Sequence, residues 1–180
     1  MTDSAGRWIE RIKAFLGDRG YAISESPIGT SVLAIKHGHS FGPFLPYTDF
    51  FFIHDLSTMR APTTFEALHG QARLAAEAQY RLPRALRYHI PNTVSIGVSV
   101  GGLSAETIEF AQRDKRDNTY IGGEKNSTYL FDVETQQLYS QGIEITPARY
   151  GARVVTTVNP TNRTHELMEE ILRMLVGQGD

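Results

Sequence analysis

The stretch DFFFIHDL, Asp49 to Leu56, sets four consecutive apolar residues between two aspartates. A strand with one wet face alternates apolar and polar residues, whereas a strand covered on both faces reads as an unbroken apolar run. Phe50 to Ile53 is therefore expected inside a sheet that carries layers above and below it. Upstream, TSVLAIK (Thr30 to Lys36) is β-branched and apolar, the composition of a neighbouring strand. The connection between them, SFGPFLPY, holds two prolines and a glycine that deny it regular ladder pairing. Phe41, Phe44, Leu45 and Tyr47 give it apolar surface that must be covered.

Outward from this pair the pattern alternates between helix and strand. Trp8, Ile9, Ile12, Phe15 and Leu16 form a helical stripe from Ser4 to Leu16, stopped by Gly17 and Gly20, and Tyr21 to Ile23 is extended. Thr63 or Thr64 caps a long helix through FEALHGQARLAAEAQY, which Pro91 and Asn92 close. Thr93 to Val100 reads as a buried strand, Gly101 and Gly102 as a turn, and Ser104 as the cap of a helix with Ile108, Phe110 and Ala111. STYLFDVETQQLYSQG reads as two strands about the turn Glu134 to Gln137, and a further strand is expected at Ala152 to Val158. Leu167, Met168, Ile171, Leu172 and Leu175 mark one face of a terminal helix from Thr164. The expected fold is α/β: a mixed sheet of five to seven strands, flanked by helices on both faces, in one domain over 1–180.

The composition excludes several kinds of chemistry. The 180 residues are 41% hydrophobic and contain no cysteine, which removes thiol nucleophiles, zinc-thiolate sites, iron-sulfur clusters and disulfides. A net charge of −2 and a pI near 6.3 give no global attraction to nucleic acid or anionic membrane. The charged opening segment and the lack of a long apolar run give the expectation of a cytoplasmic protein with no membrane partner.

With AGRWIERIKAFLGDRGYAI opening the chain and IGVSVGGLSAETIEFAQ as the later strand-turn-helix, the element order resembles the restriction-endonuclease-like fold, in its Mrr-type branch. The resemblance implies a metal-dependent nuclease centre, built on a proline-aspartate motif followed by acid-x-lysine on the next strand. Magnesium on the acids and charge stabilisation by the lysine are what metal-assisted phosphodiester hydrolysis requires. Here the residues two places before Lys13, Lys36, Lys115 and Lys125 are Arg11, Ala34, Arg113 and Gly123, so acid-x-lysine is absent. Asp49 and Asp55 are present, but without the cation.

Other candidate sites carry their own competing readings. His37, His39, His54 and Asp55 are metal-ligand residue types, with His37, His39 and Asp55 the candidate set. His37 and His39 share a face only if the strand runs through Gly38, and glycine there reads as a turn; His54 and Asp55 face opposite ways. Arg81, Arg84 and Arg87 share a helical face with Arg73 upstream, the one net-basic stretch, and are candidates to bind an anion or nucleic acid. A solvated helix face is the simpler reading of these arginines. Gly97-Val-Ser99-Val-Gly101 matches the nucleophile-elbow pattern, but Ser99 sits between valines inside the strand and the only later histidine is His165. IGGEKNST lacks the P-loop spacer. The expectation is a non-catalytic α/β module, without a cofactor, that binds a protein partner or itself. The rival is a hydrolase, either metal-dependent and phosphodiesterase-like or serine-esterase-like, drawing on Asp49, His54, Asp55 and Ser99.

Overall fold

The computed structural model describes residues 5–28, 31–40, 45–58, 64–79, 91–113, 125–140 and 160–176. Helix α1 (Ala5–Asp18) leads into strands β1 (Ala22–Glu25), β2 (Val32–Ser40) and β3 (Leu45–Asp55). After the 3-10 turn Leu56–Thr58 come α2 (Phe65–Ala78), β4 (Pro91–Ser99), α3 (Ala105–Gln112), β5 (Lys125–Asp132), β6 (Gln137–Ser140) and α4 (Pro160–Val176). The strands form one mixed sheet in chain order β1-β2-β3-β4-β5-β6. β1 to β3 is an antiparallel meander, β3, β4 and β5 run parallel, and β6 returns antiparallel to β5. A parallel step needs a crossover, and α2 and α3 supply the two that this sheet requires.

The apolar run of β3 divides between two cores, as a doubly covered strand must. Phe51 and Ile53 join Val94, Ile96, Tyr129 and Phe131 under Ile9, Ile12 and Leu16 of α1 and Met168, Ile171 and Leu175 of α4. Phe50 and Phe52 point the other way, with Leu33, onto Ala72 and Ala76 of α2. Phe65 of α2 and Phe110 of α3 extend that second core over Leu56 and Leu130. Full burial of each such side chain stabilises the fold by about 1.5–3 kcal/mol relative to exposure. Gly97 of β4 is part of this packing: a Cβ there would stand 2.6 Å from Leu56 Cδ1 and 2.7 Å from Leu130 Cδ2.

Local signals placed the starts of α2 and α3. Thr64 caps α2, its hydroxyl accepting from Ala67 N at 3.1 Å, and Ser104 caps α3, accepting from Thr107 N at 3.2 Å. Four expectations are corrected. β2 does not turn at Gly38 but continues to Ser40, paired residue for residue with β3. Glycine is there because the ring of Tyr47, its partner in the ladder, lies where a Cβ would be. The proline-rich connection is correspondingly shorter, since Leu45 and Pro46 pair with Ser40 and His39. Pro91 and Asn92 open β4 rather than close a helix, and a first strand position tolerates the missing proline N–H. The terminal helix starts at Pro160, not Thr164. The strand expected at Ala152 to Val158 lies outside the described residues.

Candidate functional site

One polar row crosses the sheet on the face covered by α1 and α4. The ladder aligns Lys36 of β2 with Asp49 of β3, and Asp49 with Asn92 of β4. At its centre Asp49 is only 1% exposed. A buried carboxylate must have its lone pairs satisfied, and these are: Tyr21 Oη donates to Oδ2 at 3.1 Å and Asn92 Nδ2 to Oδ1 at 2.9 Å. Arg163 Nη2, from the first turn of α4, donates to Oδ1 at 2.9 Å and to Oδ2 at 2.7 Å. A carboxylate offers about four acceptor positions, and all are taken. Asn92 Nδ2 also donates to Thr164 Oγ1 at 2.9 Å, so two consecutive residues of α4 are tied to the row.

Tyr47 supports the arginine from beside. The Arg163 guanidinium carbon lies 3.7 Å from its ring centroid, a cation–π contact, while the hydroxyl end of the ring occupies the space over Gly38. Lys36 Nζ donates to the carbonyl of Arg19 at 2.6 Å and stands 5.2 Å from the Tyr21 ring centroid. Burial pushes the Asp49 carboxyl up to about 6, against the hydrogen bonds from Asn92 and Tyr21 and the charge of Lys36, which favour ionisation. The arginine, whose Nη2 reaches both carboxylate oxygens, favours it too, so the pair is charged at neutral pH. Burial, then the Asp49 charge, raises the Tyr21 phenol out of the titratable range, so it acts here as a neutral donor.

A second set of polar side chains lies on the opposite face, under α2. His54 is 1% exposed, with Nδ1 2.6 Å from Ser31 Oγ and its ring edge-on to Phe65. Its Nε2 is buried without a hydrogen-bond partner, and burial pushes the imidazole down to about 4, so it is neutral. His69 of α2 reaches into the sheet, Nδ1 2.8 Å from Ser95 Oγ and Nε2 3.2 Å from Asn126 Oδ1. Because an amide oxygen only accepts, this arrangement places the proton on Nε2 and makes Nδ1 the acceptor for the Ser95 hydroxyl. Serine, histidine and asparagine in that order resemble a hydrolytic triad, but a nucleophile must be reachable, and Ser95 is 0% exposed in the centre of β4.

Among the described residues, the candidates drawn from sequence do not converge. Asp49 and Asp55 are six positions apart in β3, roughly 20 Å at strand rise, and Asp55 Oδ1 accepts from Ser57 N at 2.9 Å, ending the strand. His37 lies at the far end of the β2–β3 ladder from Asp55, its Nδ1 3.0 Å from Thr48 Oγ1; His39 pairs with Pro46, further off still. That separation rules out a shared ion for His37, His39 and Asp55. Among the described residues no group of three or more acidic or histidine side chains is placed to hold a metal. Ser99 Oγ donates to the carbonyl of Gly102 at 2.9 Å, so the hydroxyl stabilises the turn. Ser99 alternates with Val98 onto the α2–α3 face, while His165 packs on Tyr129 on the opposite face, so they cannot form a dyad. Arg73 is on the exposed side of α2; Arg81, Arg84 and Arg87 lie outside the described residues.

Tyr21, Asn92 and Arg163 were not legible as partners of Asp49, and Ser95 and Asn126 not as partners of His69. Each acts through long-range placement that local spacing does not encode. No family model matches the chain, and searches of the curated proteins and of the solved structures found no match.

Proposed function

We propose that this protein is a non-catalytic α/β module that works by binding a protein partner or a second copy of itself. One observation carries this reading: the side chains that a hydrolase would need are spent inside the fold. Asp49, His54, His69, Ser95 and Ser99 are all at most 4% exposed, and each is held by a neighbour in the core or turn. A catalytic acid, base or nucleophile must be reachable by substrate, and these five are enclosed. The proposal includes a cytoplasmic setting and a restriction-endonuclease-like origin, the latter supported by the order α1-β1-β2-β3-α2-β4 and by a buried aspartate in β3. In that reading Arg163 occupies the carboxylate that a nuclease would have given to magnesium.

Metal analysis of protein purified without chelators, run beside sedimentation velocity over a wide concentration range, tests the proposal. Metal-free protein that self-associates, or that stays monomeric until a protein partner is supplied, fits it. Stoichiometric zinc, manganese or iron would replace it with the metal-dependent phosphodiesterase reading.

A further inference from the structure

Arg163 is held on one side and open on the other. Of its guanidinium nitrogens only Nη2 is engaged, on Asp49 Oδ1 at 2.9 Å and Oδ2 at 2.7 Å. Among the described residues Nε and Nη1 make no hydrogen bond, and neither belongs to the buried polar atoms that lack one, so both meet solvent. The side chain is 37% exposed, against 1% for the carboxylate that holds it. Its orientation is fixed as well: Tyr47 stacks on it, with the hydroxyl end of the ring seated in the space that Gly38 leaves. Asp49 is itself anchored, because Tyr21 and Asn92 donate to its two oxygens. A buried ion pair seldom stabilises a fold more than well-packed apolar side chains of the same volume would, so stability is a weak reason for keeping this one. What the pair supplies is a pre-oriented guanidinium with unused donors at the surface.

We propose that Arg163 binds a carboxylate presented by a protein partner, which accepts from the donors that Asp49 leaves open. The inference rests on the reading of the protein as a binding module and names the group that its partner offers. Local charge selects this chemistry. Asp49 cancels the arginine, and Arg19 is paired with Glu170 at 2.7 Å, which leaves Lys36, the other cation whose charge bears on Asp49, as the surplus. One surplus positive charge matches a monoanion, whereas a phosphate dianion would bring an unmatched charge close to the buried Asp49. A nucleic-acid strand brings a run of phosphates, which a single surplus cation does not match. Tyr47, half-buried beside the guanidinium, offers a peptide chain apolar contact that a free small acid cannot use.

The full chain is titrated at pH 7, with ionic strength held constant by chloride, and the Arg163 Nε–H and backbone N–H resonances are followed. N-acetylglycine presents a chain-terminal carboxylate and N-acetylglutamate α-amide a side-chain carboxylate. Acetate stands for a free small acid, N-acetylglutamine α-amide is the uncharged control, and dimethyl phosphate and inorganic phosphate are the phosphate controls. The expected result is a saturable shift by one or both peptide carboxylates, with Kd on the order of 10 mM for such small probes. Acetate and both phosphates should bind severalfold more weakly, and the glutamine analogue should leave the resonances unmoved. Arg163→Lys keeps a cation on Asp49 but loses the guanidinium, and Lys36→Met removes the surplus charge without touching the pair. Each should weaken binding severalfold, read from the backbone N–H of position 163 with the fold intact by circular dichroism. Resonances unmoved in the wild type, acetate or a phosphate bound as tightly as the peptide carboxylates, or binding undiminished in Arg163→Lys overturns this inference. Where Arg163→Lys does not fold, undiminished binding in Lys36→Met overturns it instead. Each of these results leaves the binding-module proposal to its own sedimentation and metal tests.

Discussion

Arg163 Nη2 spans both oxygens of Asp49, at 2.9 and 2.7 Å, and joins residues 114 positions apart in the chain. The contact fastens the first turn of the last helix to the third strand, beneath the Tyr47 ring that Gly38 makes room for. Removing one partner of a buried pair leaves the other charge uncompensated, which is where most of the energetic consequence lies. Arg163→Ala strands Asp49 in the interior. The expected loss is about 1–3 kcal/mol, below the usual figure for fully buried pairs because the arginine side chain is 37% exposed. Urea unfolding with an unchanged m-value measures it; a loss below about 0.5 kcal/mol would mean that the pair contributes no more than a surface bridge.

Asp49 and His54 impose opposite pH dependences. The Asp49 carboxyl is raised from 3.8 to about 6, so its contribution is fully present below pH 3.8 and is lost as pH rises through 6. The His54 imidazole is lowered from 6.5 to about 4, so its contribution is fully present above pH 6.5 and is lost as pH falls through 4. Each shift is worth about 3 kcal/mol, and in the wild type they largely cancel between pH 4 and 6.5. Asp49→Asn should therefore lose stability on acidification across that window, and His54→Asn should gain it. Chemical denaturation at pH 4.5 and 7 in both variants decides the matter: slopes of the same sign would refute the assignment.

How much of this was visible beforehand differs between fold and site. DFFFI implied a doubly covered strand because four apolar residues in a row cannot alternate with solvent, and the two cores divide Phe50 and Phe52 from Phe51 and Ile53 accordingly. The caps of α2 and α3 were legible, the first as Thr63 or Thr64 and the second as Ser104, because capping acts within three residues. Gly38 was misread because a glycine's local meaning is a turn, while its actual reason is the Tyr47 ring arriving from the next strand. The partners of Asp49 come from 28, 43 and 114 residues away, distances at which spacing carries no signal. Ser95 looked like one more small residue in an alternating strand until His69 was seen to descend on it from α2.

Gly97→Ala tests the packing over the second core. The added methyl meets Leu56 and Leu130 at 2.6 and 2.7 Å, well inside van der Waals contact, and both leucines are themselves packed in. The expected cost is about 1–3 kcal/mol by thermal or urea unfolding. A neutral substitution would show that the two leucines rearrange freely.

Ser99→Ala removes the hydroxyl that donates to Gly102 and nothing else. Stability should fall by about 0.5–1.5 kcal/mol, the net worth of one such bond. Hydrogen exchange of the 100–104 amides should rise in step.

The central claim, that these buried polar groups serve the fold and not a reaction, is tested most directly by turnover of simple esters and phosphodiesters with magnesium, manganese and zinc supplied. The assay compares the wild type with Asp49→Asn, His54→Asn, Ser95→Ala and Ser99→Ala. The account predicts rates equal to buffer for every form. Saturable turnover by the wild type that any one of these substitutions abolishes, with the fold retained, would contradict it.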